Sequence, residues 1–162
     1  MKKAIFLDRD GVINKKRNDY VKSIEELEIF SYASSAIKKI NDADFLVIII
    51  TNQSAINRNL MTTNDLEKIH HHIEKYLNSK SAHIDAFYYC PHTPDENCDC
   101  RKPKPGLIKL AEQDFQIDLS SSWVIGDSIS DIEAGKMVNC KTIRIEKELN
   151  LHDAVEYILK HE

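Results

Sequence analysis

Short apolar runs alternate along this chain with segments that repeat apolar residues at helical spacing, and that alternation limits the fold more than any other feature. Ala4 to Leu7, Phe45 to Ile50, Ile84 to Tyr89, Trp123 to Ile125 and Thr142 to Ile145 read as strands. The near-continuous apolar character of the second run implies burial on both faces of a parallel sheet. Leu66, Ile69, Ile73 and Leu77 recur at helical spacing behind Thr62 and Asp65, a capping pair. Pro105 suits the first turn of a helix through Leu107, Ile108 and Ala111, and weaker helical patterns cover Tyr32 to Ile40, Ile129 to Met137 and Asp153 to Lys160. Strand and helix in alternation predict a three-layer α/β domain with a Rossmann-like parallel sheet. At 162 residues, with no repeat, low-complexity tract or linker, the chain reads as one domain spanning 1–162.

Charge and composition exclude several functions. The 22 basic and 26 acidic residues leave a formal charge of −4, which provides no field for nucleic acid or an anionic membrane. An anionic ligand must therefore be met by local cations. The apolar runs are too short to span a bilayer, and Met1-Lys2-Lys3 is followed by too few apolar residues for a signal peptide, so a cytoplasmic protein is expected.

Polar residues lie just beyond several strand ends, where an open parallel sheet binds its ligands. Asp8 and Asp10 follow the first strand. Two apart, they share a face, so one carboxylate can attack an electrophile while its neighbour shuttles a proton. Thr51, Asn52, Gln53 and Ser54 follow the second, and Gly126-Asp127-Ser128-Ile129-Ser130-Asp131 follows the fourth. Taken singly, the Asp-x-Asp pair reads equally as a solvated turn, Thr51 to Ser54 as a loop, and Asp127 as a helix cap. Gathered on one rim, the acidic residues would repel one another unless a divalent cation sat among them, and an all-oxygen donor set suits Mg²⁺.

Between the third and fourth strands, Cys90, His92, Cys98 and Cys100 form a Cys₃His set. Two Cys/His pairs across a short polar loop can enclose one tetrahedral Zn²⁺, and four soft protein ligands leave no open position, so this metal is expected to be structural. A chance cluster or a reactive thiol pair is the alternative. Cys140 stands apart as a small buried hydrophobe, and His70, His71 and His72 read as exposed helix surface.

Four blocks together, Asp8 to Asn14, Thr51 to Ser54, Arg101 to Lys102 and Gly126 to Asp131, resemble the phosphatases of the haloacid dehalogenase-like superfamily. Cys90-Pro91-His92 and Cys98-Asp99-Cys100-Arg101-Lys102-Pro103 are similar to the signature of its zinc-containing branch, which holds phosphatases of histidinol phosphate and of heptose bisphosphates. The resemblance implies that fold without a cap domain, with the zinc loop and Lys15 to Tyr20 as a partial lid. It implies Asp8 as nucleophile, Asp10 as acid and base, and Thr51 and Lys102 as stabilisers of the transferring phosphoryl group. Mg²⁺ would lie among Asp8, the backbone carbonyl of Asp10, and Asp127, with Asp131 orienting its water ligands. Tyr20, Asn52, Gln53, Ser54 and Arg101 would bind the substrate. Ser128 departs from the lysine common at that place. The expected substrate is a heptose 1,7-bisphosphate, met by the basic residues Lys15, Lys16, Arg17 or Arg58, and used in nucleotide-heptose and cell-surface polysaccharide synthesis. Histidinol phosphate is the alternative and would call for a rim carboxylate such as Asp19, Asp95 or Glu96. A phospho-acceptor domain without catalysis, or a zinc-bearing binding module, is the reading from another class. The chain is expected to act as a monomer.

Overall fold

Phe6 and Ile5 have no exposed surface although they are neighbours on one strand, because the sheet they belong to is covered on both faces. The computed structural model describes residues 1–162. Five strands, β1 (Ala4–Leu7), β2 (Leu46–Asn52), β3 (Ala86–Cys90), β4 (Trp123–Gly126) and β5 (Lys141–Arg144), pair in parallel in the order β3-β2-β1-β4-β5. Side-chain alternation divides the core. Ile5, Leu7, Val47 and Ile49 join the larger cluster with Ile37 and Ile40 of α1 (Ala33–Asp42), Leu66, Ile69 and Ile73 of α2 (Thr63–Ser79), and Val155 and Ile158 of α5 (Leu151–Lys160). Ala4, Phe6, Ile48 and Ile50 join the smaller one with Leu107 and Ile108 of α3 (Gly106–Phe115) and Ala134 of α4 (Ile129–Met137).

Local chemistry fixes the helix starts. Thr62 and Asp65 form the expected capping box at α2. Asn150 and Asp153 form another, which starts α5 at Leu151 rather than at Asp153. Pro105 is the N-cap of α3, one place earlier than anticipated. Strand β3 begins two residues later than its apolar run because the Asp85 carboxylate, at 2.8 Å, takes the Val47 N–H. Strand β2 runs on through Thr51 and Asn52, whose polarity had suggested an earlier stop, since both pair with β3.

The order places the switch point between β1 and β4, from which chain connections lead to opposite sides. Leu7 pairs with Ile125, and the Asp8 N–H donates to the Ile125 carbonyl at 3.0 Å. Asp8 and Asp127 therefore leave adjacent strands at the same level.

Candidate active site

At that switch point lies a cavity of about 390 Å³, walled by Asp8, Asp10, Asn52, Gln53, Ser54, Arg101, Lys102 and Asp127 among others. Tyr20 also reaches it, as do Lys16, Arg17 and Arg58. Thr51 does not. It has no exposed surface, and its hydroxyl accepts from Gln53 Nε2 at 2.9 Å beneath the floor.

Two glycines let the acidic residues converge. Gly11 has φ +86°, a conformation that strains any L side chain, and a Cβ there would stand 2.1 Å from Asp127 Oδ2. A Cβ on Gly126 would meet Asp131 Oδ2 at 2.2 Å. With both positions bare, oxygen atoms of Asp8, Asp127 and Asp131 lie within 4.8 Å of one another. Burial, which outweighs the nearby Lys102 charge, together with the neighbouring carboxylates Asp131, Asp10 and Asp127, pushes the Asp8 pKa up to about 7. Burial raises that of Asp127 as well. A set of crowded oxygen donors that resists ionisation is one that a hard divalent cation relieves, so the residues present fit Mg²⁺.

Lys102 supplies one compensating charge. Its Nζ, on a buried side chain, donates to Asp8 Oδ1 at 3.1 Å, Asp131 Oδ1 at 2.5 Å and the Ile50 carbonyl at 2.8 Å, which uses all three protons. Burial pulls its pKa down, but the charges of Asp8 and Asp131 prevail and hold it above the ordinary value. Asp131 is buried, not on the helix surface. Its other oxygen accepts from Ser128 N at 3.1 Å and Ser128 Oγ at 2.9 Å, closing the capping box that starts α4.

Asp10 is held at both oxygens. Oδ1 accepts from Arg9 Nη2 at 3.0 Å and Asn14 Nδ2 at 3.1 Å, and Oδ2 from Gln53 Nε2 at 2.9 Å. Burial opposes its ionisation, but the Arg9 charge and these donors win and lower its pKa. Resting Asp10 is thus a carboxylate, and a phosphate dianion arriving beside it would favour its taking up a proton.

The Cys₃His set assembles at the end of β3. Cys90 Sγ, His92 Nδ1, Cys98 Sγ and Cys100 Sγ lie 2.7–3.5 Å apart along the pairs that touch. The edges of a tetrahedron about an ion bonded at ~2.0–2.3 Å are of similar size, so the donor set fits Zn²⁺. Asn52 clamps this loop to the sheet: its Oδ1 accepts from Lys102 N at 3.1 Å and its Nδ2 donates to the Lys102 carbonyl at 3.3 Å. Arg101 Nη1 donates to the His92 carbonyl at 3.2 Å, fixing that guanidinium at the cavity mouth.

One expectation fails outright. His70 is not on the exposed surface of α2, as His71 and His72 are; it is 7% exposed and touches Arg9, a residue with no exposed surface that sequence reasoning had passed over. A signal was present, since His70 stands four residues after Leu66 and three before Ile73, on the apolar stripe itself.

A parallel sheet whose switch point gathers three carboxylates about a buried lysine is equipped for chemistry on a phosphoryl group. Comparison with known proteins agrees. A HAD-hydrolase-like family model matches residues 99–160. The D-glycero-beta-D-manno-heptose-1,7-bisphosphate 7-phosphatase of Pseudomonas aeruginosa is 37% identical over 142 residues, covering 88% of this chain and 80% of its own. The protein of that name from Helicobacter pylori strain J99 is 42% identical over 134 residues, covering 82% of this chain and 76% of its own. The crystal structure of D,D-heptose 1,7-bisphosphate phosphatase from B. bronchiseptica, complexed with magnesium and phosphate, superposes with a TM-score of 0.92 at 30% identity and covers 99% of each chain. The chain belongs to the HAD-like hydrolases.

Proposed function

We propose that this chain, acting as one domain, hydrolyses the 7-phosphate of D-glycero-D-manno-heptose 1,7-bisphosphate, in nucleotide-heptose and cell-surface polysaccharide synthesis. Similarity to phosphatases of that name over most of both chains supports the reading. The observation that carries it within the site is the sign of the mouth. Lys16, Arg58 and Arg101 line it, beside an Arg17 already engaged by Asp19 and Glu26, whereas Asp19, Asp95 and Glu96, the carboxylates an amine substrate would seek, do not. Asp19 is instead paired with Arg17 and Lys22, and Glu96 accepts from Asn57. A second phosphate remote from the reacting one is suited by this wall, and the amine of histidinol phosphate is not.

Asp8 attacks phosphorus, forming an aspartyl-phosphate as the P–O bond to the sugar breaks. Asp10 gives its proton to the departing oxygen and then removes one from the water that attacks the intermediate. Lys102 balances the charge of the phosphoryl oxygens, and Thr51 acts from below by anchoring Gln53. Tyr20, Asn52, Gln53, Ser54 and Arg101 orient the sugar phosphate. Asp8, Asp127 and the Asp10 carbonyl would hold a Mg²⁺ whose water ligands Asp131 would orient, and the bound ion would supply charge neutralisation at the phosphate. Cys90, His92, Cys98 and Cys100 are assigned a structural Zn²⁺. The active unit is a monomer of the cytoplasm; no helix is long and apolar enough to cross a membrane.

The test is hydrolysis of the heptose 1,7-bisphosphate and of histidinol phosphate side by side with Mg²⁺, following phosphorus resonances to see which phosphate leaves. Loss of the 7-phosphate with the higher kcat/KM is expected. A higher kcat/KM on histidinol phosphate, or release of the 1-phosphate, would overturn the assignment.

A further inference from the structure

Arg9 lies between the two catalytic aspartates in sequence, yet its side chain has no exposed surface and ends away from the cavity. Its fork has two occupied arms. Nη2 donates to Asp10 Oδ1 at 3.0 Å and Nη1 to His70 Nε2 at 3.1 Å, while Nε has no partner. A guanidinium cannot accept, so Nε2 of His70 is the unprotonated nitrogen and Nδ1 carries the proton. Burial, then the Arg9 charge, pushes the His70 pKa down to about 3 against the pull of Asp10, and the imidazole stays neutral. Its ring stacks on Phe87 of β3 with centroids 4.3 Å apart and planes 18° from parallel. Phe87 pairs with Ile49 in the sheet.

A buried guanidinium with one carboxylate for company adds little stability, because its desolvation cost rivals the attraction it gains. Its geometry is another matter. The fork is planar and rigid, so a donor that fixes one arm fixes the direction of the other. With Nε free, His70 is the one hydrogen-bond partner that sets the plane of the Arg9 fork apart from Asp10 itself. A continuous line of contacts thus runs from the sheet through Phe87, His70 and Arg9 to the Asp10 carboxylate. The side chain of Asp10 keeps 21% of its surface exposed, towards the cavity it lines.

We infer that Arg9 and His70 form a buried positioning pair that holds Asp10 in the orientation from which it protonates the departing sugar oxygen. His70 touches no reacting atom and acts through Arg9. The inference rests on the acid role of Asp10 and not on the identity of the sugar.

The experiment compares two esters. An alkyl phosphate needs its leaving oxygen protonated, whereas p-nitrophenyl phosphate releases a stable anion that does not. Both are assayed by kcat/KM, which reports on steps up to leaving-group departure, in wild type, His70→Leu, His70→Gln and Asp10→Asn, with thermal melts as the check on folding. The alkyl ester is whichever sugar phosphate the wild type hydrolyses best. His70→Leu is expected to lower kcat/KM on the sugar phosphate about tenfold, through kcat more than KM, and on p-nitrophenyl phosphate by less than about twofold. His70→Gln, which retains an acceptor for Arg9, is expected to restore the sugar phosphate value. Equal losses on both esters, or none on either, with the Leu variant would overturn the inference. If that variant does not fold, His70→Asn, too short to reach Arg9, carries the same expectation, and failure of both to fold would make the pair structural. An Asp10→Asn variant that loses both esters equally would instead remove the acid role on which the inference rests.

Discussion

Two clusters of side chains able to hold a metal ion stand on either side of the Asn52–Lys102 clamp, and they are built in opposite ways. The carboxylates Asp8, Asp127 and Asp131 are carried just beyond strand ends and in a helix cap, and all three line an open cavity. The Cys90, His92, Cys98 and Cys100 set is carried mostly on a proline-rich loop, with its four ligand atoms facing one another. A preformed open set can hold a cation and still admit substrate, so it suits catalysis. A closed soft set leaves no vacancy, so an ion held there would serve only to order the chain. The clamp joins the two, since ordering the loop delivers Lys102 to the carboxylates and Arg101 to the mouth.

This contrast predicts different failures. Asp8→Asn preserves the shape of the open cluster but removes the carboxylate assigned as nucleophile, and is expected to lower kcat by roughly 10⁴-fold or more with the fold intact, read by phosphate release and circular dichroism. Residual activity above about one hundredth of wild type would break the comparison at its catalytic side. Lys102→Met leaves Asp8 and Asp131 buried without their cation, and unfolding in urea should show a loss of about 3–5 kcal/mol, together with activity. Cys100→Ser is expected to act only through the loop: activity falls about 10–100-fold, zinc content falls by elemental analysis, and hydrogen exchange rises in residues 91–104 while β1 and β2 stay protected. Exchange rising equally through the sheet would show that the closed cluster supports the whole fold.

The smallest effect is one of pH. The Asp8 pKa is raised when folded, to about 7 from the ordinary 3.8, so without a cation the folded state binds more protons across that window. Stability from this group is present below about 3.8 and is lost as pH rises towards 7. Mg²⁺ reverses the effect by favouring the carboxylate. The rise in Tm on adding Mg²⁺ should therefore be larger at pH 8 than at pH 5.5; an equal rise at both would place the ion elsewhere.

Much of this arrangement was legible beforehand where one side chain's chemistry dictates its place. Strand β1 and helix α4 have the bounds their patterns imply, and the acidic rim follows from a parallel sheet with aspartates after β1 and β4. Thr51 was harder. The all-polar run after Ile50 hid the fact that Thr51 keeps the inward parity of Val47 and Ile49, which buries its hydroxyl below the cavity. The burial of Asp131 and Arg9 could not be read because each also bonds to distant chain, Lys102 for the first and His70 for the second, although Asp131 closes the local Ser128 capping box as well. Buried charge is intelligible only with its partner, and partners separated by 29 or 61 residues leave no local signature.

The most direct test of the account is the stereochemical course at phosphorus, followed with a phosphorothioate ester that carries two oxygen isotopes on its transferred group and is hydrolysed in water of the third, so that the thiophosphate released is chiral. Attack by Asp8 followed by attack of water inverts the centre twice, and the product should show net retention. Net inversion would mean that water strikes the ester directly, and the covalent role of Asp8 would be contradicted.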